Sequence, residues 1–318
     1  MIRITDMTLS SLDIYDPTGE HLRELCALLV LVRPDYIELS VDAFHKIGTL
    51  PEGGNYILRC DTPADIQRYP NFSRYVCRKS GKASPPNVVN EIQANDICEI
   101  NFLNQFFSLE NVRIRGLDDI IAHDYQAAFE VIRKTVKGSA QLCPENKYHC
   151  ATAIAVEWVL GGGKEVAVSF AGVGGFAAIE EVLMALRLEI RHRPGMDFTV
   201  YPKIREQVEQ ITGRKFSLNK PVIGANIFNM EAGIHADGIQ KDPTTYEPYK
   251  PELVGNTRRL IIGKHSGKNA ILLKLRELGL DIGAVNVENL LKTVRVESVK
   301  KQQSLTDEEF VDLYHHMS

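Results

Sequence analysis

The chain has 318 residues, 44% of them hydrophobic and 25% charged, with a formal net charge of −4. That length can bury one large domain, or a large one and a small one, and the composition excludes a disordered or fibrous chain. The acidic balance argues against nucleic acid as a partner, and the longest apolar run, residues 26–32, falls far short of the roughly 20 residues that span a bilayer.

The six cysteines form no CxxC pair and are too sparse for a disulfide scaffold. No signal-peptide pattern stands in "MIRITDMTLS", so a soluble, cytoplasmic protein with reduced thiols is the expectation.

In chain order, the β-rich run "IRITDMTL" (2–9) predicts a strand, and "TGEHLRELCALLVLV" (18–32) a helix capped by Thr18. Strands follow at 36–41, 56–60 and 112–117, then a helix at 125–136. Further strands are expected at 147–153 and 165–172, and an amphipathic helix at 177–190. Repeated βα units over about 190 residues predict an α/β fold, a slightly small and degenerate (β/α)8 TIM barrel, with a doubly wound sheet as the alternative. The stretch 68–96, broken by Pro85-Pro86 and without helical period, is where irregularity is expected.

Beyond residue 195 the pattern changes to a helix ended by Gly213, a strand running into a helix over 258–279, and another helix over 286–303. A final helix is opened by Thr306, with Glu309 placed to complete a capping box. The expected division is therefore a barrel domain over 1–195 and a lid with a helical subdomain over 196–318.

Chemistry in such a barrel sits at the C-terminal ends of the strands. Asp6 on the first strand and His149 on the expected strand 147–153 stand as candidate ligands of a divalent metal. A catalytic metal normally needs about three protein ligands, and the next position on His149's face of that strand is Ala151. The loop "AGVGGF" (171–176) lacks dinucleotide-binding spacing and reads as a tight βα turn. The polar segment 219–255 gathers Glu231, His235, Asp237 and Tyr246. A histidine beside a carboxylate can act as a general base, with a tyrosine hydroxyl relaying the proton; a solvated loop is the equal alternative.

The motifs "KPVIGANIF", "EAGIHADGI", "TYEPYKPELVG" and "GKHSG" closely resemble the lid region of the homocitrate and isopropylmalate synthases, in their order and at their spacings. The resemblance runs over the whole chain in outline and is strong from about residue 177 onward. It implies a barrel followed by a lid that reaches a neighbouring subunit's active site. His235 and Tyr246 would there assist deprotonation of the acetyl-CoA methyl group, with Glu231 orienting His235.

The barrel departs from the family pattern. Where D-x-T-L-R-D-G is expected, "DMTLSSLD" keeps Asp6 but has Ser10 and Ser11. The H-x-H-N-D strand is matched by "HCATA" with Ala151, and the G-E-R-A-G turn by "GVGGF". A serine hydroxyl does not replace a bidentate guanidinium. The resemblance thus implies a lid-donating subunit, as in the split homocitrate synthases of some nitrogen fixers. Its paralogous partner barrel would hold a divalent metal (Mg, Mn or Zn) and bind 2-oxoglutarate and acetyl-CoA. The alternatives are a self-sufficient acyltransferase of the isopropylmalate or citramalate type with an altered metal site, and a non-catalytic scaffold or regulatory paralogue. "GKHSG" is expected to shape a turn.

Overall fold

The computed structural model describes residues 1–78, 85–106, 109–192, 195–233, 238–239 and 242–318. Eight parallel strands close into a barrel in sequence order: β1 (Arg3–Asp6), β2 (Tyr36–Ser40), β3 (Tyr56–Cys60), β4 (Arg74–Arg78), β5 (Val88–Ala94), β6 (Glu110–Gly116), β7 (Lys137–Pro144) and β8 (Glu165–Val168). Closure is made by β8 against β1, with Arg3 opposite Glu165 and Asp6 opposite Val168. The (β/α)8 expectation is therefore met.

The first long helix, α2 (Gly19–Val32), shows why the local sequence folds as it does; a single turn, α1 (Thr8–Ser11), precedes it. The Thr18 side chain accepts from the His21 N–H at 3.2 Å, and Leu22, Leu25, Cys26, Leu29 and Val32 recur on one buried face. Arg33 in the left-handed conformation ends it. The other barrel helices are α3 (Val41–Ile47), α4 (Pro63–Arg68), α5 (Ile97–Phe106), α6 (Tyr125–Thr135), α7 (Ala151–Leu160) and α8 (Ile179–Glu189).

Two expectations fail in the barrel. The stretch expected to be irregular contains β4 and β5, whose buried Tyr75, Val76, Cys77, Val88 and Val89 are a short apolar pattern hidden by the flanking prolines. No helix joins these two strands among the described residues. The predicted strand 147–153 does not exist. The strand is β7, ending at Pro144, and Ala151 opens α7.

Two compact units divide after Phe216, rather than after residue 195. The helix α9 (Tyr201–Thr212) belongs to the first unit because it packs on α2, with Gln207 donating to Glu24 at 2.8 Å. Its Tyr201 stacks on Phe198 at 5.1 Å between ring centroids.

The second unit holds a two-stranded parallel pair, β9 (Asn229–Met230) and β10 (Arg259–Leu260), followed by α10 (Lys268–Glu277), α11 (Val287–Lys301) and α12 (Asp307–Met317). Ile271, Leu275, Leu290, Val294, Phe310 and Tyr314 form its core. The predicted capping box opens α12: Thr306 accepts from the Glu309 N–H, and Glu309 accepts from the Thr306 N–H. Thr306→Ala is expected to cost about 1 kcal/mol, read as a lower urea midpoint for the unfolding of this unit with an unchanged m-value.

Candidate functional site

Alternation along the strands turns one residue in two toward the barrel axis. Those positions carry Thr5, Glu38, Arg59, Glu91, Arg113 and Gln141, and they bond to one another. Arg113 lies 2.6 Å from Glu38 Oε2 through Nη1, and its Nε donates to Gln141 Oε1 at 2.5 Å. Gln141 in turn donates to Thr5 Oγ1 at 2.8 Å.

Arg59 donates through Nε to Glu38 Oε1 at 3.1 Å, and through Nη1 and Nη2 to the two oxygens of Glu91 at 3.0 and 2.6 Å. Ser10 adds a hydrogen bond to Glu38 Oε1 at 2.9 Å. Two guanidiniums and two carboxylates thus neutralise each other along the axis, with Glu38 and Arg113 fully buried.

Burial alone would raise the Glu38 carboxyl, but Arg113 and Arg59 outweigh it and hold Glu38 below the usual carboxylate range. One donor is left over: Arg113 Nη2 has no acceptor among the described residues.

Asp6 is not on the axial face. Thr5 reaches Gln141 and Met7 packs with Cys143, Ala167 and Phe176, so the intervening Asp6 points to the helix side. Its Oδ1 accepts from the Thr8 N–H at 2.7 Å and from the Thr8 hydroxyl, while Thr8 Oγ1 accepts from the Phe170 N–H at 2.7 Å. Asp6 therefore ties the end of β1 to the loop after β8. Burial pushes its carboxyl up to about 6 against these hydrogen bonds, with Glu38 adding to the rise, and its Oδ2 has no partner among the described residues.

His149 is also displaced from its expected place. It lies in the exposed turn beyond β7, with φ at 60°, so the argument that His149 and Ala151 share one face of a strand does not apply. The residues that reach the C-terminal end of β7 are Cys143, buried, and Glu145, which pairs with Arg115 at 2.7 Å and Lys147 at 3.4 Å.

Asp6 is fully buried, whereas His149 is exposed. Among the described residues no three His, Cys, Asp or Glu side chains converge as a metal-binding group. The donors among the described residues do not make up the set of about three that the divalent ion implied by the family resemblance needs. The 171–176 loop is the tight turn expected: Ala171, Gly172, Gly174 and Gly175 all have positive φ, and Ser11 sits against Gly174.

In the second unit, Glu231 follows β9 and its Oε1 accepts from the His265 backbone N–H at 2.7 Å. The same loop is closed by Ser266, which accepts from the Gly263 N–H at 2.9 Å. "GKHSG" is thus a turn, and Glu231 anchors it. His235 lies outside the described residues. Tyr246 is half-exposed and caps a short 3-10 turn at 243–245; its ring lies so close to Gly238 that a Cβ there would come within 2.5 Å of it. The axial ion network was the feature missed by the sequence reading. Its signal, a charged residue recurring inside β2, β3, β5 and β6, is visible only once the strands and their faces are assigned.

Residues 222–302 match the family model described as "Homocitrate synthase post-HMGL domain-like". The chain is similar to the homocitrate synthase omega subunit of Clostridium pasteurianum, 30% identical over 304 residues, which cover 88% of this chain and 85% of that one. The chain belongs to the homocitrate synthase and isopropylmalate synthase family. It is 34% identical to 2-isopropylmalate synthase 2 of Caldanaerobacter subterraneus over 73% of this chain, and spans 64% of that relative. It is 36% identical to homocitrate synthase 1 of a Nostoc species over 53% of this chain, spanning 45% of that relative.

Among solved structures, the hydroxymethylglutaryl-CoA lyase of Bacillus subtilis superposes with a TM-score of 0.54 at 12% identity, over 68% of this chain and 95% of that one, which supports the TIM barrel.

Two outcomes follow from this geometry. Arg113→Met leaves Glu38 buried beside one guanidinium instead of two and is expected to cost about 3–5 kcal/mol, measured by chemical denaturation. Because the folded Asp6 carboxyl sits above its unfolded value of 3.8, the fold favours its protonated form, and stability is lost as pH rises from about 4 to about 6. Asp6→Asn keeps an acceptor for Thr8 and removes the ionisation. The variant is expected to gain about 2–3 kcal/mol over wild type at pH 7.5 relative to the difference at pH 4, read from denaturation curves at both pH values.

Proposed function

We propose that this chain is a subunit of a homocitrate-forming acyltransferase and lends its lid to the barrel of a paralogous partner. Acetyl-CoA would condense there with 2-oxoglutarate, and hydrolysis of the thioester would release homocitrate and CoA. His235 takes a proton from the acetyl methyl group, and the Tyr246 hydroxyl shuttles or steadies it. Glu231 holds the 263–267 turn through the His265 N–H. The divalent metal implied by the family belongs in the partner's barrel, since Asp6 and His149 do not form a site for it.

The observation that carries this reading is the axial ion network. The charged groups of this barrel are spent on one another, and serines occupy the β1 positions where the family motif has Arg and Asp. The lid motifs, by contrast, are kept, with Tyr246 held half-exposed against Gly238. A barrel whose axial charges pair with one another, in a chain that keeps the lid motifs in its sequence, is what a lid donor requires.

The test is reconstitution. The purified chain is assayed for homocitrate formation alone and after mixing with the barrel subunit that co-purifies from the source cell. No turnover alone, and turnover on mixing, are expected; homocitrate formed at an ordinary rate by the isolated chain would refute the proposal. In the mixed complex His235→Ala is expected to lower kcat at least about 100-fold and Tyr246→Phe by a smaller factor, with assembly unchanged by gel filtration. Full activity of both variants would leave the chain a scaffold.

A further inference from the structure

The opposite end of the barrel, where the strands begin, carries a second feature that the acyl-transfer reading does not use. A cavity of about 660 Å³ opens there, and four cationic side chains, Arg3, Arg74, Arg133 and Lys164, line it against one carboxylate, Glu165. The chain as a whole has a net charge of −4, so this is a local reversal of sign.

The arginines are held in place rather than loosely displayed. Glu165 is buried and receives two guanidiniums: Arg3 pairs with its Oε1, and Arg74 with Oε2 at 3.1 Å. Arg74 also lies over the Tyr36 ring at 5.1 Å. One carboxylate balances one of the two arginines, and Arg3 Nε is a buried donor with no partner among the described residues.

Part of the surrounding charge has another role. Helices of a (β/α)8 barrel end on this side, and cations there complement the negative ends of the helix dipoles. Arg133, which donates to the Gly161 carbonyl beyond α7, is accounted for in that way. Arg3 and Arg74 are not, because they stand at the starts of β1 and β4 and line the cavity. Lys164 is exposed at the rim, immediately before β8.

We propose that this cavity is a binding site for a small multivalent oxyanion, with Arg3 and Arg74 as its forked donors and Lys164 as a rim charge. Guanidinium forks match the paired oxygens of carboxylate and phosphate alike. Both are therefore the same chemistry to this site, and which of the two fits better is decided by the test. Glu165 orients the arginines, and it also sets the requirement for a multivalent ligand: a monovalent ion gains less against a carboxylate already in place. The site lies at the end of the barrel remote from the strand ends where chemistry sits, so its occupancy does not compete with substrate.

The experiment is isothermal titration of the full chain at low ionic strength with sodium phosphate, with trisodium citrate and with sodium chloride. Saturable one-to-one binding of phosphate, citrate or both is expected, with none for chloride, and affinity falling as salt is added. Arg74→Gln is expected to weaken binding about tenfold and Lys164→Gln a few-fold.

Circular dichroism checks that each variant folds. Should Arg74→Gln fail to fold, Lys164→Gln, an exposed change, carries the comparison alone. Heats that never saturate, or equal affinity in wild type and every folded variant, would overturn the site.

Discussion

The structure depends on one arrangement, the buried ring of Glu38, Arg59, Glu91 and Arg113 on the barrel axis. Taking a charge out of water costs several kcal/mol, and a buried pair repays that only when the partners meet in good geometry and the remaining donors are satisfied. Here Arg59 grips Glu91 with both terminal nitrogens, and Glu38 accepts from Arg59 and Ser10 and forms an ion pair with Arg113. Four strands contribute one member each, so the ring also fixes their register. A strand shifted by one residue would turn its charge into the apolar layer beneath the helices.

Among the buried atoms of the described residues in this ring, Arg113 Nη2 and Glu38 Oε2 have no hydrogen-bond partner. Asp6, which the motif suggested as a ligand, is turned the other way and works as a structural acceptor that joins β1 to the loop after β8. The family model matches residues 222–302, which lie in the second unit.

Two local contacts shape that unit near the conserved-order motifs of its sequence. Glu231 is committed to the His265 N–H, so the carboxylate holds the 263–267 turn. Gly238 permits the close approach of the Tyr246 ring, which a methyl group would block. These contacts sit beside the unit's apolar core, which takes in Leu260 and Ile262 just before the 263–267 turn.

Much of the fold was legible in the chain itself. The period-3.6 stripe of residues 18–32, the caps at Thr18 and Thr306, the strands at 36–40 and 56–60 and the repeated βα order follow from local rules, because backbone and side-chain preferences act within a few residues. Less legible were β4 and β5, where flanking prolines mask two short apolar runs, and β7, whose small and polar residues 137–141 carry little strand signal, so that the aromatic and β-branched run after it drew the assignment. The family relationship was legible from the lid motifs at 220–267, which keep their order and spacing.

The direction of Asp6, the exposure of His149, the commitment of Glu231 to a backbone N–H and the closed ion ring were decided only by tertiary structure. Each depends on which face of a strand looks inward and which distant strand lies opposite, and pairing between residues as far apart as Thr5 and Gln141 leaves no local trace.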